Sequence, residues 1–312
     1  MKHSQWIDPV KQGNIVKERV LVDYKRMVYK IRPNTRFYGG IYTFDIAGCN
    51  FDCAYCWTSQ DTKQGCGSII DRIKQKGAKL FYSPHELWEK YSKQTDSNKI
   101  RLSGGEPLIT PEFTLAFLDM GVSYFKKKGM KGQIWLETNG FELVRNPSLC
   151  EAMGQFKDYL RIYLSLKQTP EKYSETTGVE HKHHDTGFKA LELLLDKGIM
   201  TVPAAPLANI FDPKAIPWFV ERLQKIHKNA PLITELGDIV FMPPDRISKR
   251  LNERGFTSEN RFKPSQVREA YVEHLKKLGL EYKTINTDCR TSDQTIDYVM
   301  SLVDLRKKIC IK

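Results

Sequence analysis

Three cysteines fall within eight residues, Cys49-Asn-Phe-Asp-Cys53-Ala-Tyr-Cys56, and nothing else in the chain constrains it as strongly. Spacings of three and two let one short loop wrap a metal centre and present its sulfurs to one side, and thiolates are the ligands of soft-metal and iron–sulfur sites. Three local ligands leave one corner of a cubane without a protein ligand, and an open coordination position is where chemistry happens. A Cys₃His zinc site with a ligand folded in from a distance, or three unrelated buried thiols, are the alternatives. The nearest histidine in sequence is His85. Seven cysteines is an odd count, and Cys66, Cys150, Cys289 and Cys310 are scattered. This pattern fits a metal site in a reducing, cytoplasmic setting better than a disulfide framework.

Around the cluster the chain alternates strand and helix. Val20–Val22 and Val28–Ile31 read as short strands that Pro33 interrupts. Ile41–Ile46 (IYTFDI) is a strand running straight into the cysteines. Ser83-Pro84-His85-Glu86 opens a helix to about Lys93, with N-cap, proline at N1 and acid at N3. The pattern continues with a strand at Lys99–Leu102, a helix from Pro111 toward Lys128, strands at Gln133–Glu137 and Leu160–Leu166, and a helix near Gly187–Lys197. It ends with a strand at Met200–Ala205, a helix at Pro213–Lys228, a strand-like Leu232–Phe241 and a helix at Lys263–Leu278. Strands separated by helices imply a parallel sheet, and right-handed crossovers curl it. The expectation is an α/β fold, a partial (β/α)6-type barrel. It forms one domain over 1–312, with a basic N-terminal extension at 1–38, a core at 39–242 and a C-terminal extension at 243–312.

The 312 residues carry a formal charge of +12 and are 40% hydrophobic, so a packed core is expected and acidic partners are favoured. No apolar run approaches the ~20 residues that span a bilayer, and Met1–Gly13 has no apolar signal region. Arg246, Lys249, Arg250, Arg254, Arg261, Lys263, Arg268, Lys276 and Lys277, with Lys17, Arg19, Lys25, Arg26, Lys30, Arg32, Arg36, Tyr24 and Tyr29 of the lead-in, offer a track for RNA. A solvated, charged helical face explains the same residues.

The C-x₃-C-x₂-C spacing, with aromatic Tyr55 before the third cysteine and a strand before the first, resembles the cluster motif of the radical S-adenosylmethionine (SAM) superfamily. That resemblance implies a [4Fe–4S] cluster on Cys49, Cys53 and Cys56 and SAM chelated to its fourth iron. Reductive cleavage of SAM would then give a 5′-deoxyadenosyl radical that abstracts hydrogen from a substrate, the electron coming from a donor such as flavodoxin or ferredoxin. Ser103-Gly104-Gly105-Glu106-Pro107 resembles the family's GGEP motif, with Gly104, Gly105 and Glu106 placed toward the SAM amino group. Alone it reads as an ordinary glycine-rich turn.

Glu137-Thr138-Asn139-Gly140 and Leu164-Ser165-Leu166-Lys167, followed by Thr169-Pro170-Glu171-Lys172-Tyr173, are similar to segments of enzymes that activate glycyl-radical proteins. The similarity implies that Thr138, Asn139, Ser165 and Lys167 contact SAM. Ser165 stands where that group usually carries Asp, which weakens both the activase assignment and any cation site there. Cys66 is a candidate hydrogen-atom donor or an inert loop thiol. The strand end Ala204–Leu207 reads as cofactor contact or core, and His181–His184 reads as a solvated loop. No auxiliary cluster is expected. The substrate is a protein, peptide or glycyl-radical partner, or alternatively tRNA or a small metabolite; a non-catalytic metal-binding protein is the third reading.

Overall fold

In the computed structural model the described residues are 6–35, 40–94, 97–205, 209–237, 239 and 244–280. Arg36, Leu207, Phe241, Cys289 and Cys310, named above, lie outside them. The strands are β1 (Leu21–Val22), β2 (Lys25–Thr35), β3 (Ile41–Ile46), β4 (Phe81–Tyr82), β5 (Lys99–Ser103), β6 (Gln133–Thr138), β7 (Leu160–Ser165), β8 (Met200–Ala205) and β9 (Glu235–Leu236). They form one sheet in the order β1-β2-β3-β5-β6-β7-β8-β9, with β4 on β2. From β3 to β9 every pairing is parallel, the arrangement expected of alternating strands and helices. Ile41 of β3 meets Trp135, Val202 and Tyr163 of β6, β8 and β7 in one apolar cluster. Strands so far apart in the sheet touch only if it curls, so this is a partial barrel.

The helices are α1 (Pro9–Val20), α2 (Gln60–Gln64), α3 (Ser68–Gln75), α4 (Pro84–Gln94), α5 (Pro111–Lys127), α6 (Phe141–Arg145), α7 (Ser148–Gly154), α8 (Tyr173–Thr177), α9 (Thr186–Asp196), α10 (Ile216–Ile226), α11 (Pro244–Glu253) and α12 (Pro264–Lys277). In α5, Phe113, Phe117, Leu118, Val122 and Phe125 recur at the three-to-four spacing of one helical face, and that face packs on the sheet.

Three of the departures from the sequence reading have a local cause. The lead-in folds as α1, capped by the Asp8 side chain, which accepts from the Val10 and Lys11 amides, with Pro9 at N1; Asp-Pro was the missed start signal. Pro33 does not end β2, which runs on antiparallel to β3 with a register shift between Arg32 and Thr35; a bulge is where a strand tolerates proline. The strand-like Leu232–Phe241 contracts to Glu235–Leu236, because Pro231–Ile233 closes a 3₁₀ turn first.

Candidate active site

The period of two along each strand sorts side chains onto opposite faces. Register places Thr43, Arg101, Trp135, Arg161 and Met200 side by side on the inner face. One step nearer the C-terminal ends come Asp45 and Ser103, Glu137, Tyr163 and Val202, then Ser165, Ala204 and Glu235. The outer face, with Phe44, Leu102, Leu136 and Leu164, is apolar and buried under helices. The inner face is therefore polar where (β/α) barrels carry their sites.

The cysteine loop leaves β3 at these ends. Its backbone is irregular, and several of its amides are tied to other segments: Gly48 and Cys49 donate to the carbonyls of Thr62 and Lys63, and Asp52 and Ala54 to those of Thr177 and Thr176. Asp52 accepts from Lys63 Nζ and, at 2.9 Å, from Arg254 Nη2, and these cations hold its carboxyl below the usual range against the opposing effect of burial. Asn139 Nδ2 donates to Asn50 Oδ1 at 2.8 Å. Cys49, Cys53 and Cys56 are free thiols within electrostatic reach of one another. Burial pushes the Cys49 and Cys53 thiols up, and Lys167 and Lys63 oppose this at Cys53.

The glycine-rich turn differs in detail from expectation. A Cβ on Gly105 would lie 2.2 Å from the Gly48 carbonyl oxygen and 2.8 Å from that of Ile46. A side chain there strikes the cysteine loop itself rather than empty ligand space, so the glycine lets two backbones touch. Gly104 has φ +90, and its carbonyl accepts from Thr58 Oγ1 at 2.9 Å. Glu106 faces inward as a structural hub. It is 2% exposed and accepts from the Leu108 amide, Thr138 Oγ1 and the Asn139 amide at 3.0, 2.7 and 2.8 Å. Burial pushes its carboxyl up to about 7 against those three bonds.

Thr138 and Asn139 are thus spent on joining β6 to the turn and the cysteine loop. Lys167 Nζ donates to the Tyr55 hydroxyl at 3.0 Å and lies 5.7 Å from that ring's centroid, so both residues flank the cluster loop. Burial, then Cys53 and Cys56, push the Tyr55 phenol well above its ordinary range. Ser165 is half-buried on the inner face. Cys66 is exposed, 3.5 Å from Arg19 Nη1, and its amide donates to Asp61. These contacts set it beside α1 and α2, not on the inner face. Cys150 is buried in the main core, and burial raises its thiol to about 11.

Three carboxylates line the inner face. Asp45 accepts from Arg32 at 2.6 Å and Glu137 from Arg101 at 2.8 Å and from Ser103 Oγ. Glu235 bonds Tyr163, and its carboxyl is raised by burial and by the repulsion of Glu137. Glu235 is itself exposed to solvent. Asp45 Oδ2 and Thr43 Oγ1 are buried on this face without a hydrogen-bond partner.

The basic residues proposed as an RNA track are largely folded in. Arg26 is 0% exposed and donates to the Val20 and Glu106 carbonyls, and Arg32 is tied to Asp45. On α11, Arg250 Nη2 donates to the Cys56 carbonyl and Arg246 Nη2 to that of Trp57 at 2.7 Å, and just past its end Arg254 donates to Asp52. The same helix sends Ile247 and Leu251 into the main core. The C-terminal extension therefore reaches across to the cysteine loop, contacts that sequence reasoning missed. Its trace was the spacing of four between the arginines, with Ile247 and Leu251 between them; the loop they grip lies about 190–200 residues away.

The donor set fits an iron–sulfur cluster: three free thiols share one loop, and thiolates are the ligands such clusters take.

The chain belongs to the radical SAM superfamily, whose family model matches residues 44–205, more than half of its length. Members are enzymes that use a [4Fe–4S] cluster and SAM and require an electron donor. Among solved structures it is similar to native anSMEcpe with bound AdoMet, at 17% identity and TM-score 0.43, covering 62% of this chain and 49% of that one. It is also similar to native anSMEcpe with bound AdoMet and Cp18Cys peptide, at 17% identity and TM-score 0.46, covering 74% and 56%. The chain thus spans about half of the length of those proteins. No curated protein matches it. Among the described residues no helix is long and apolar enough to cross a membrane.

Proposed function

We propose that Cys49, Cys53 and Cys56 ligate the [4Fe–4S] cluster and that the enzyme generates a radical from SAM to abstract hydrogen from a polar group entering the lumen. The cluster and SAM supply the one-electron chemistry. One observation carries the reading: the cysteine loop and the polar inner face meet at the same C-terminal strand ends.

The chain's own residues bind, orient and shield. Lys63, Arg254 and Asn139 fix the loop through Asp52 and Asn50. Lys167 and Tyr55 stand beside Cys53, where a cation favours the thiolate that iron requires. Ser165, Glu137 and Glu235 face the lumen and suit a substrate rich in hydrogen-bond donors. A protein or peptide side chain answers that description. A tRNA substrate is less well supported, because Arg26, Arg32, Arg246, Arg250 and Arg254 serve internal contacts instead of an open track. A glycyl-radical partner is weakened by Ser165, which has no carboxylate.

Anaerobic reconstitution with iron and sulfide tests the assignment. Wild type is expected to take up four irons per chain and to release 5′-deoxyadenosine from SAM plus reductant. Cys53→Ala is expected to lose both the cluster and the product. A variant that keeps its cluster and turnover contradicts the ligand assignment.

A further inference from the structure

Arg246, Arg250 and Arg254 recur every fourth residue, so they share one face of the helix α11 and its C-terminal end. Arg250 and Arg246 each donate from Nη2 to a carbonyl of the cysteine loop, those of Cys56 and Trp57. Arg254 pairs with Asp52 and lies 5.3 Å from the centroid of the Trp6 ring. Each guanidinium also keeps at least one buried nitrogen without a partner: Nε of Arg246, Nε and Nη1 of Arg250, and Nη1 of Arg254. Buried cationic donors that lack an acceptor are unfavourable. Here four such nitrogens, on three guanidinium groups, belong to side chains that contact the loop carrying the thiols.

An anionic group seated on that loop would supply the missing compensation. A cubane with three thiolates is negatively charged and gains a further negative charge on reduction. Fixed positive charge and N–H donors nearby stabilise the reduced form more than the oxidised one. Lys249, on the same helix, is exposed and forms none of these loop contacts.

We propose that the α11 arginines, Arg250 foremost, are positioning residues that hold the cysteine loop and raise the reduction potential of its cluster. This rests on the cluster assignment above. The loop would thereby be set from two sides: by Thr176, Thr177 and Lys63 of the core, and by a helix that follows the last strand of the sheet. The electron enters more readily at a given donor potential because the guanidinium charge offsets the charge it brings.

The test is an EPR-monitored dithionite titration of the anaerobically reconstituted full chain. Arg250→Met is expected to keep wild-type iron and sulfide content. Its ratio of reduced to oxidised cluster should fall about tenfold at fixed potential, a negative shift of about 59 mV for one electron. Lys249→Met, which removes the same formal charge outside the loop contacts, is expected to titrate as wild type. A wild-type midpoint in Arg250→Met with the cluster intact overturns the proposal, as does an equal shift in Lys249→Met. Should Arg250→Met not fold, Arg246→Gln reads the same quantity: a negative shift supports the proposal and a wild-type midpoint overturns it. Failure of the underlying assignment shows separately, as a wild type without a cluster or a Cys53→Ala variant that retains one.

Discussion

The two faces of this sheet are built from the same strands and do opposite work. On the outer face Phe44, Leu102, Leu136 and Leu164 are all 0% exposed and pack against helices. On the inner face their sequence neighbours Asp45, Arg101, Glu137 and Tyr163 form charge pairs and hydrogen bonds around a lumen. Burying apolar area is non-directional and tolerates rearrangement, whereas buried charges are tolerated only in fixed geometry with their partners. The outer face therefore carries stability and, on the function proposed above, the inner face selects what is bound, so substitutions on the two should separate those properties.

The largest effect is expected outside. Leu136→Ala leaves a cavity in the main core and should cost about 2–5 kcal/mol in chemical denaturation, with SAM affinity by calorimetry unchanged within about twofold. A loss of affinity matching the loss of stability would break the comparison.

Next comes the hub between the faces. The Glu106 carboxyl is raised to about 7 from its unfolded value near 4.3. The folded state thus holds a proton that the unfolded state has released. This contribution is fully present below the unfolded value, falls as pH rises through about 7 and stays lost above it. Glu106→Gln removes the titration, so the stability difference between wild type and variant should change by roughly 3 kcal/mol between pH 4.5 and 7.5. A pH-independent difference would show that Glu106 titrates normally.

On the inner face, Glu137→Gln leaves the Arg101 guanidinium without its counter-charge and should cost about 1–3 kcal/mol. Activity should fall further than stability alone explains, which comparing SAM cleavage with and without substrate at a temperature well below unfolding would reveal. The smallest effect belongs to neither face. Lys93→Ala removes an exposed i,i+4 pair with Glu89 and should change stability by less than about 0.5 kcal/mol; a larger change in thermal denaturation would mean the outer helix surface is not neutral.

Much of this was legible along the chain. The strands bearing the site follow a period of two with apolar residues on one side, and glycine, proline and N-cap residues punctuate them locally. Asp8-Pro9 carried a legible helix start that the basic composition of the lead-in masked. The roles of individual residues were less legible. Gly105 and Glu106 read as ligand contacts because their motif does, and that pattern gave no sign that one also permits backbone contact and the other also ties strand ends together. Such roles depend on which segment lies opposite, and no local pattern records that.

By itself the sequence determined the cysteine loop, its place after the first parallel strand and the turns that end the next ones, because these follow from spacing and periodicity over a few residues. Only the tertiary structure decided where the charge goes. Arg26 is buried under the glycine-rich turn, and Arg246, Arg250 and Arg254 close on Trp57, Cys56 and Asp52 from about 190–200 residues away. An arginine's partner is chosen by the low-dielectric surroundings that folding creates, and those exist only once the chain has brought distant segments together.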